Sequence, residues 1–271
     1  MCSVKTYCVY LYLFTKYTKF VNIRINKFIV FWFLKTKPNL KSNMEIHSTE
    51  FYAYYGMFCF AAYLLGSIPS AVWIGKSFYN IDVREHGSGN AGATNTFRVL
   101  GKKPGTIVLL MDILKGYLAC TLVYLFASVY QDFDWNAYRI VNIQLMLGAS
   151  AVIGHLLPIF AGFKGGKGIA TLAGLIIALN PLAAACAIGI FLIVLLTTRF
   201  VSVGSMIGGV SIPVLFVSVF GKSMPEFRQP SVIIFTIAIA VLVVITHRKN
   251  INRLIHGNEN KAKLFPRHRR N

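Results

Sequence analysis

From residue 51 onwards the chain alternates long apolar runs with short polar stretches. The runs occupy residues 51–75, 105–130, 140–160, 169–180, 181–197, 203–220 and 231–246. A helix that crosses a bilayer needs about 20 predominantly apolar residues, with a range of about 17–25. The first three and last three runs meet or approach that length. The fourth is short and ends at Asn180-Pro181, which suits a tilted or half-spanning helix. The pattern predicts an all-α integral membrane protein with about seven transmembrane helices.

Charge orients those helices. Only 14% of residues are charged, against about 25% in a soluble domain, yet the formal net charge is +19. One set of connections carries Lys76, Arg84, Arg98, Lys102, Lys103, Lys164, Lys167 and Arg199, and the C-terminal segment adds Arg248, Lys249, Arg253 and others. The opposite set has Arg139, Lys222 and Arg228 beside Asp132, Asp134 and Glu226. The excess of basic residues marks the first set and the C-terminus as cytoplasmic, so the chain before residue 51 lies outside. Basic clusters in short loops fit anionic lipid or anionic substrates, and no nucleic-acid partner is expected. The five cysteines form no C-x-x-C, and no metal or cofactor is implied.

The N-terminus conflicts with this orientation. Residues 1–43 contain eight basic residues and no acid, and their apolar patches are too short to span. The expected organisation is a basic aromatic extension at 1–43, a membrane domain at 44–264 and a basic cytoplasmic tail at 265–271. Translation is expected to begin near Met44, the rival account being that 1–43 is an interfacial amphipathic anchor.

Two polar loops are rich in glycine. Residues 85–95 read EHGSGNAGATN and contain a formal G-x-G-x-x-G, with Asp112 about twenty residues further on, as in a dinucleotide fold. That fingerprint must follow a strand and open a crossover helix; here a membrane helix precedes it and Asp112 lies inside the next one. The nucleotide reading fails. The loop still offers bare backbone amides that form an anion nest, with Ser88, Asn90, Gly92, Thr94 and Asn95 nearby and Arg98 able to fork onto a phosphate. The second loop, GHLLPIFAGFKGGKGIAT at 154–171, brings Lys164, Gly165, Gly166, Lys167, Gly168 and Thr171 to the mouth of a helix. A third cluster, HRKNINRLIHGNE at 247–259, supplies His247, Asn250, Arg253 and Glu259. All three fall on the basic side of the membrane. Individually, His155 suits helix packing, and Asp112 with Lys115 suits a buried i,i+3 pair.

Taken together, these segments resemble the PlsY family of bacterial acyl-phosphate:glycerol-3-phosphate acyltransferases. Residues 88–101 are similar to its SGNxGxTNxxRxxG motif, residues 154–171 to GHxxPxFxxFKGGKGxAT and residues 247–259 to HxxNxxRxxxGxE. LLGSIPSAVWIGK, Asp112-x-x-Lys115-Gly116 and Thr198-Arg-x-x-Ser202 also resemble family features. The likeness runs from about Tyr54 to Leu264, leaving residues 1–43 without a counterpart. It implies a multi-pass enzyme of the bacterial plasma membrane, working at the cytoplasmic face without a cofactor. Its substrates would be acyl phosphate and glycerol 3-phosphate, its products lysophosphatidic acid and phosphate. A peripheral enzyme, PlsX, would supply the donor.

An acyl phosphate is a mixed anhydride whose leaving group is already good. The site therefore needs mainly to bind two anions, orient a hydroxyl and stabilise an oxyanion. The resemblance implies catalytic roles for His247, Asn250, Ser88, Arg98 and Lys167. Gly165–Gly168, Lys167 and Thr171 are assigned to one phosphate, preferably the donor's. Ser88, Asn90, Arg98 and Lys164 are assigned to the second phosphate and the glycerol; Gly92, Thr94, Asn95, Arg253 and Glu259 complete the phosphate-binding set. Either His247 or the departing phosphate takes the hydroxyl proton. A transporter of phosphorylated solutes is the rival class.

Overall fold

The computed structural model describes residues 44–262 apart from Asp132. The expectations for 1–43, for 265–271 and for Asp132 lie outside the described residues. Ten α-helices are named here in chain order: α1 (Met44–Gly66), α2 (Ser70–Tyr79), α3 (Ala93–Val99), α4 (Lys102–Val129), α5 (Ala137–Leu156), α6 (Ile169–Leu179), α7 (Pro181–Thr198), α8 (Val201–Val214), α9 (Pro230–Thr246) and α10 (Arg248–Ile255).

Each apolar run became a helix, but the runs do not all cross alone. Among the described residues, five segments are long and apolar enough to span: Thr49–Tyr79, Lys102–Val129, Ala137–Ala161, Pro181–Thr198 and Val201–Lys222. The first contains α1 and α2, broken before Ser70 because Pro69 has no N–H and pushes Ile68 out of helical backbone. α9 passes the same test only together with α10, across a bend of 54°. α6 has 11 residues, about 16 Å at 1.5 Å per residue, or half a hydrocarbon core of about 30 Å. The seven expected spans are thus five or six full-length ones and one half-length helix.

The short helix needs a turn that leaves no polar backbone stranded. Asn180 supplies it: its side-chain oxygen accepts from the N–H groups of Leu182 and Ala183 at 3.0 and 2.9 Å. Pro181 at the first position of α7 needs no donor partner. The backbone donors of this helix start are therefore satisfied within the protein, as an apolar surrounding requires.

Close backbone contact sets the α4–α6 pair. A Cβ on Gly116 would strike the Thr171 carbonyl, and one on Gly174 would strike that of Ile113. Without a solvent-driven hydrophobic effect between helices, such dispersion contact is what associates them. Leu175, Leu179, Phe216, Val232 and Val243 fill the core around these helices. The end of the bundle away from the glycine loops is aromatic: Phe51 stacks on Phe133 at 4.4 Å, and the Trp135 indole donates to the Tyr130 carbonyl at 2.8 Å.

The expected Asp112–Lys115 pair forms one helical turn apart on α4, 2.8 Å between charged atoms, with both side chains buried. Ser70 donates to Asp112 at 3.0 Å and Lys115 donates to the Ile68 carbonyl at 3.0 Å. His155 brings its Nδ1 to 3.6 Å from the same carboxylate. The bonds fasten the α1–α2 break to α4, and the approach of His155 sets α5 against the same carboxylate, beneath the glycine loops.

Candidate active site

The loop after α2 is turned by Gly87 and Gly89, whose φ values of +64° and +71° favour glycine. The turn brings the backbone N–H and hydroxyl of Ser88 onto Asn95 Oδ1 at 2.8 and 3.0 Å. Asn95 Nδ2 donates in turn to the Val83 and His86 carbonyls at 2.7 and 3.0 Å. Both donors and both acceptor positions of this amide are filled, so Asn95 shapes the loop. Asp82 takes a forked pair of bonds from Arg84, which holds its carboxyl well below the usual range despite partial burial. Arg84 also donates to the Ala161 carbonyl at 2.8 Å, tying this loop to the one before α6.

In that second loop Phe163 and Gly168 take positive φ, and Gly168 starts α6. Gly166 donates its N–H to the His155 carbonyl at 3.1 Å. A Cβ on Gly165 would overlap that carbonyl, and one on Gly166 would overlap the imidazole. The glycines therefore let the loop lie flat on His155, and the loop delivers Lys167 towards α10.

The third segment turns at His247, between α9 and α10. The residue is only 2% exposed. Its Nδ1 lies 2.8 Å from the Val243 carbonyl, which can only accept, so Nδ1 carries a proton and a neutral ring presents Nε2 as an acceptor. One turn on, the Lys167 ammonium donates to Asn250 Oδ1. Asn250 Nδ2 donates to Glu259 Oε1 at 2.7 Å, Ser202 donates to the same oxygen at 2.8 Å, and Arg253 Nε donates to Oε2 at 2.7 Å. Burial pushes Glu259 up, but bonds from Asn250, Arg253 and Ser202 outweigh it and hold the carboxyl below its usual range. Burial also lowers the Lys167 pKa to about 8; Glu259 opposes this, while Arg253 and Arg98 add to it.

These groups border one cavity of about 330 Å³. Its head holds Ser88, Asn90, Arg98, Lys167, His247 and Asn250, with Gly92, Thr94, Asn95, Gly168, Arg253 and Glu259 around them. Its other arm is apolar, walled by Leu172, Ile176, Ala187, Phe191 and Ile212. Cationic and amide donors thus open directly onto a greasy groove.

Four of the expected site residues do not border the cavity. Lys164 is exposed beside it. Gly165 and Gly166 are packed on His155 instead. Thr171 is fully buried at the α4–α6 contact, and its hydroxyl has no partner among the described residues. Conversely, Ser202, Asp112 and His155 do border it. Ser202 stood out only as part of a family-like motif, because a serine in the first turn of an apolar run says nothing by itself about a partner at residue 259.

Fold and cavity define a multi-pass helical membrane protein in which an anion-attracting head is continuous with an apolar groove. Residues 56–257 match the family profile described as glycerol-3-phosphate acyltransferase, and the chain belongs to that family. It is 46% identical over 202 residues to the glycerol-3-phosphate acyltransferase of Listeria monocytogenes, covering 74% of this chain and 93% of that one. With the enzyme of Chlorobium phaeobacteroides the identity is 40% over 225 residues, covering 76% and 95%. The crystal structure of PlsY, an integral membrane glycerol 3-phosphate acyltransferase, in its glycerol 3-phosphate form superposes with a TM-score of 0.65. Identity there is 37%, covering 76% of this chain and 94% of PlsY. The lysophosphatidic acid form of PlsY gives a TM-score of 0.62 at 36% identity.

Proposed function

We propose that this acyltransferase takes its acyl group from an acyl phosphate and gives it to sn-glycerol 3-phosphate, forming 1-acyl-glycerol 3-phosphate and inorganic phosphate. The observation that carries the reading is a continuous cavity whose cationic head runs into an apolar arm. Such a space suits a phosphate joined to a long acyl chain. The captured glycerol 3-phosphate and lysophosphatidic acid forms of PlsY support the acceptor and the product.

The glycerol hydroxyl oxygen attacks the acyl carbonyl carbon, and the tetrahedral oxyanion collapses by breaking the carbon–oxygen bond to phosphate. The hydroxyl proton goes to His247 Nε2 or to the departing phosphate. Lys167, with the Gly168 end of α6, serves the donor phosphate; Ser88, Asn90 and Arg98 serve the acceptor. Thr94 and Gly92 border the same cavity beside them. Asn95 and Glu259 act by positioning, since the one has no free bonding capacity and the other would repel a phosphate. Lys164 would attract anions from outside, and Gly165, Gly166 and Thr171 support the loop from behind.

The basic loops favour a cytoplasmic active site in the plasma membrane, within reach of a peripheral donor-producing enzyme such as PlsX. Cysteine labelling tests this: positions 92 and 258 should react from the cytoplasmic side and position 223 from outside. Little favours a transporter, because the polar lining gathers at the helix ends and not at mid-depth. Purified protein incubated with acyl phosphate and glycerol 3-phosphate should release one phosphate per lysophosphatidic acid formed. Turnover with acyl-CoA but not acyl phosphate would overturn the donor assignment.

A further inference from the structure

The apolar arm of the cavity has a defined far end. On α8 its lining includes Ser202, Ser205, Gly208, Gly209 and Ile212, which recur at helical spacing and share one face. The head end of that face is fixed, because Ser202 is bonded to Glu259. Ile212 lies ten residues further, about 15 Å along the axis at 1.5 Å per residue. Between them the face presents nothing larger than a serine, and the cavity runs beside the points where Ala187 approaches Gly208 and Val243 approaches Gly209.

The adjoining wall is α7, running antiparallel. A Cβ on Gly204 would meet Phe191 at 2.9 Å, and one on Gly208 would meet the Ala187 carbonyl at 3.2 Å. Four residues on along α8 correspond to four back along α7, so the same register sets Ile212 opposite Ala183, and the neighbouring Ala184 lines the cavity at that level. There a full-sized side chain returns to α8. Ile212 is 6% exposed, and with Ile176, Ala184 and Val243 it belongs to the buried core that also contains Phe216. The groove begins at a phosphate-binding head and ends against packed side chains.

We propose that Ile212, with the cavity-lining Ala184 of α7 at the same level, is the stop that measures the acyl chain of the donor, so that chain-length preference is set at this depth of α8. The inference rests on the acyl-phosphate reading of the same cavity. The methyl end of the preferred chain abuts Ile212; a longer chain must bend or displace core side chains, and a shorter one leaves apolar surface unfilled. In an apolar pocket one methylene discriminates by roughly 10- to 200-fold.

The test is a series of acyl phosphates of graded chain length, assayed with saturating glycerol 3-phosphate. Ile212→Phe should lower kcat/KM for the longest donors accepted by the wild type by about tenfold or more, while short donors keep their rate. Ile212→Ala should move the optimum towards longer chains. Retained turnover of short donors, with an unchanged KM for glycerol 3-phosphate, shows that the variants are folded. If Ile212→Phe loses activity on every donor, Ala184→Val, which narrows the same depth from the other wall, must shift the optimum to shorter chains. An unchanged length profile in active variants overturns the stop. A wild-type protein that consumes no acyl phosphate of any length overturns the reaction reading instead.

Discussion

Ser202 and Glu259 are 57 positions apart in the chain, yet the serine hydroxyl donates to the glutamate at 2.8 Å. The same carboxylate accepts from Asn250 and Arg253, both at 2.7 Å. One acid therefore fixes the start of α8, a face of α10 and, through Asn250, the ammonium of Lys167. It is a hub for the cavity head.

Replacing that hub should be costly. A hydrogen bond to a charged group contributes about 1.5–3 kcal/mol, so Glu259→Gln, which keeps the shape but loses the charge and one acceptor, should lower kcat/KM by roughly 10- to 100-fold. Ser202→Ala should have a smaller effect. The double variant should lose less than the two single losses combined, because both act through one carboxylate. Strict additivity of the three measurements would refute the hub.

Two glycines give a sharp contrast. On Gly166 a Cβ would overlap the His155 imidazole, whereas on Gly189 in α7 it would meet nothing within 4 Å. Gly166→Ala should displace the loop that carries Lys167 and cut turnover at least tenfold, a charged hydrogen bond being at stake. Gly189→Ala should leave turnover unchanged and stabilise the helix by up to about 1 kcal/mol. Turnover and thermal unfolding in detergent decide both; normal kinetics in Gly166→Ala would sink the packing argument.

The sequence made the helices legible because an unbroken apolar run in lipid has few alternatives to a helix. It also made the cavity head legible, since Lys167, Arg98 and His247 are polar groups that apolar surroundings do not otherwise retain. What it could not convey was which loop residues face the cavity. Asn95 and Ser88 sit seven apart with similar chemistry, but the fold fills every bond of Asn95. Gly166 and Gly168 look equivalent in GGKG, yet one rests on His155 and the other borders the cavity. Such differences depend on what folds behind the loop. The same holds for α6: its run and Asn180-Pro181 foretold a short helix, while the count of full spans depended on how α9 bends into α10.

The buried pair on α4 yields a stability prediction. Removing one member of a buried ion pair leaves an uncompensated charge and costs about 3–5 kcal/mol, whereas exchanging both for apolar residues is often neutral. Asp112→Leu should therefore lower the thermal midpoint in detergent strongly, because it also strips partners from Lys115 and Ser70. Asp112→Leu with Lys115→Met should recover much of that loss. A double variant no better than the single one would show that the pair does not act as a unit.

The last prediction concerns pH. Burial, with Arg253 and Arg98 adding to it against the pull of Glu259, lowers Lys167 from 10.5 to about 8 in the free protein. Below that pH the side chain is an ammonium able to hold a phosphate; above it, a neutral amine. The kcat/KM of the wild type should therefore fall as pH rises through about 8, since this ratio reports ionisations of the free enzyme. Lys167→Ala should lose roughly 10- to 100-fold at neutral pH and show no such limb. Lys167→Arg, charged throughout, should move the limb out of range even where its geometry lowers the rate. Stability should run the other way. Because the folded pKa is depressed, the unfolded chain binds more protons between about 8 and 10.5, so this residue's contribution to stability rises across that window. Activity falling while the thermal midpoint holds or rises separates loss of the Lys167 charge from denaturation. A wild-type limb that persists unchanged in Lys167→Arg would assign it to another group.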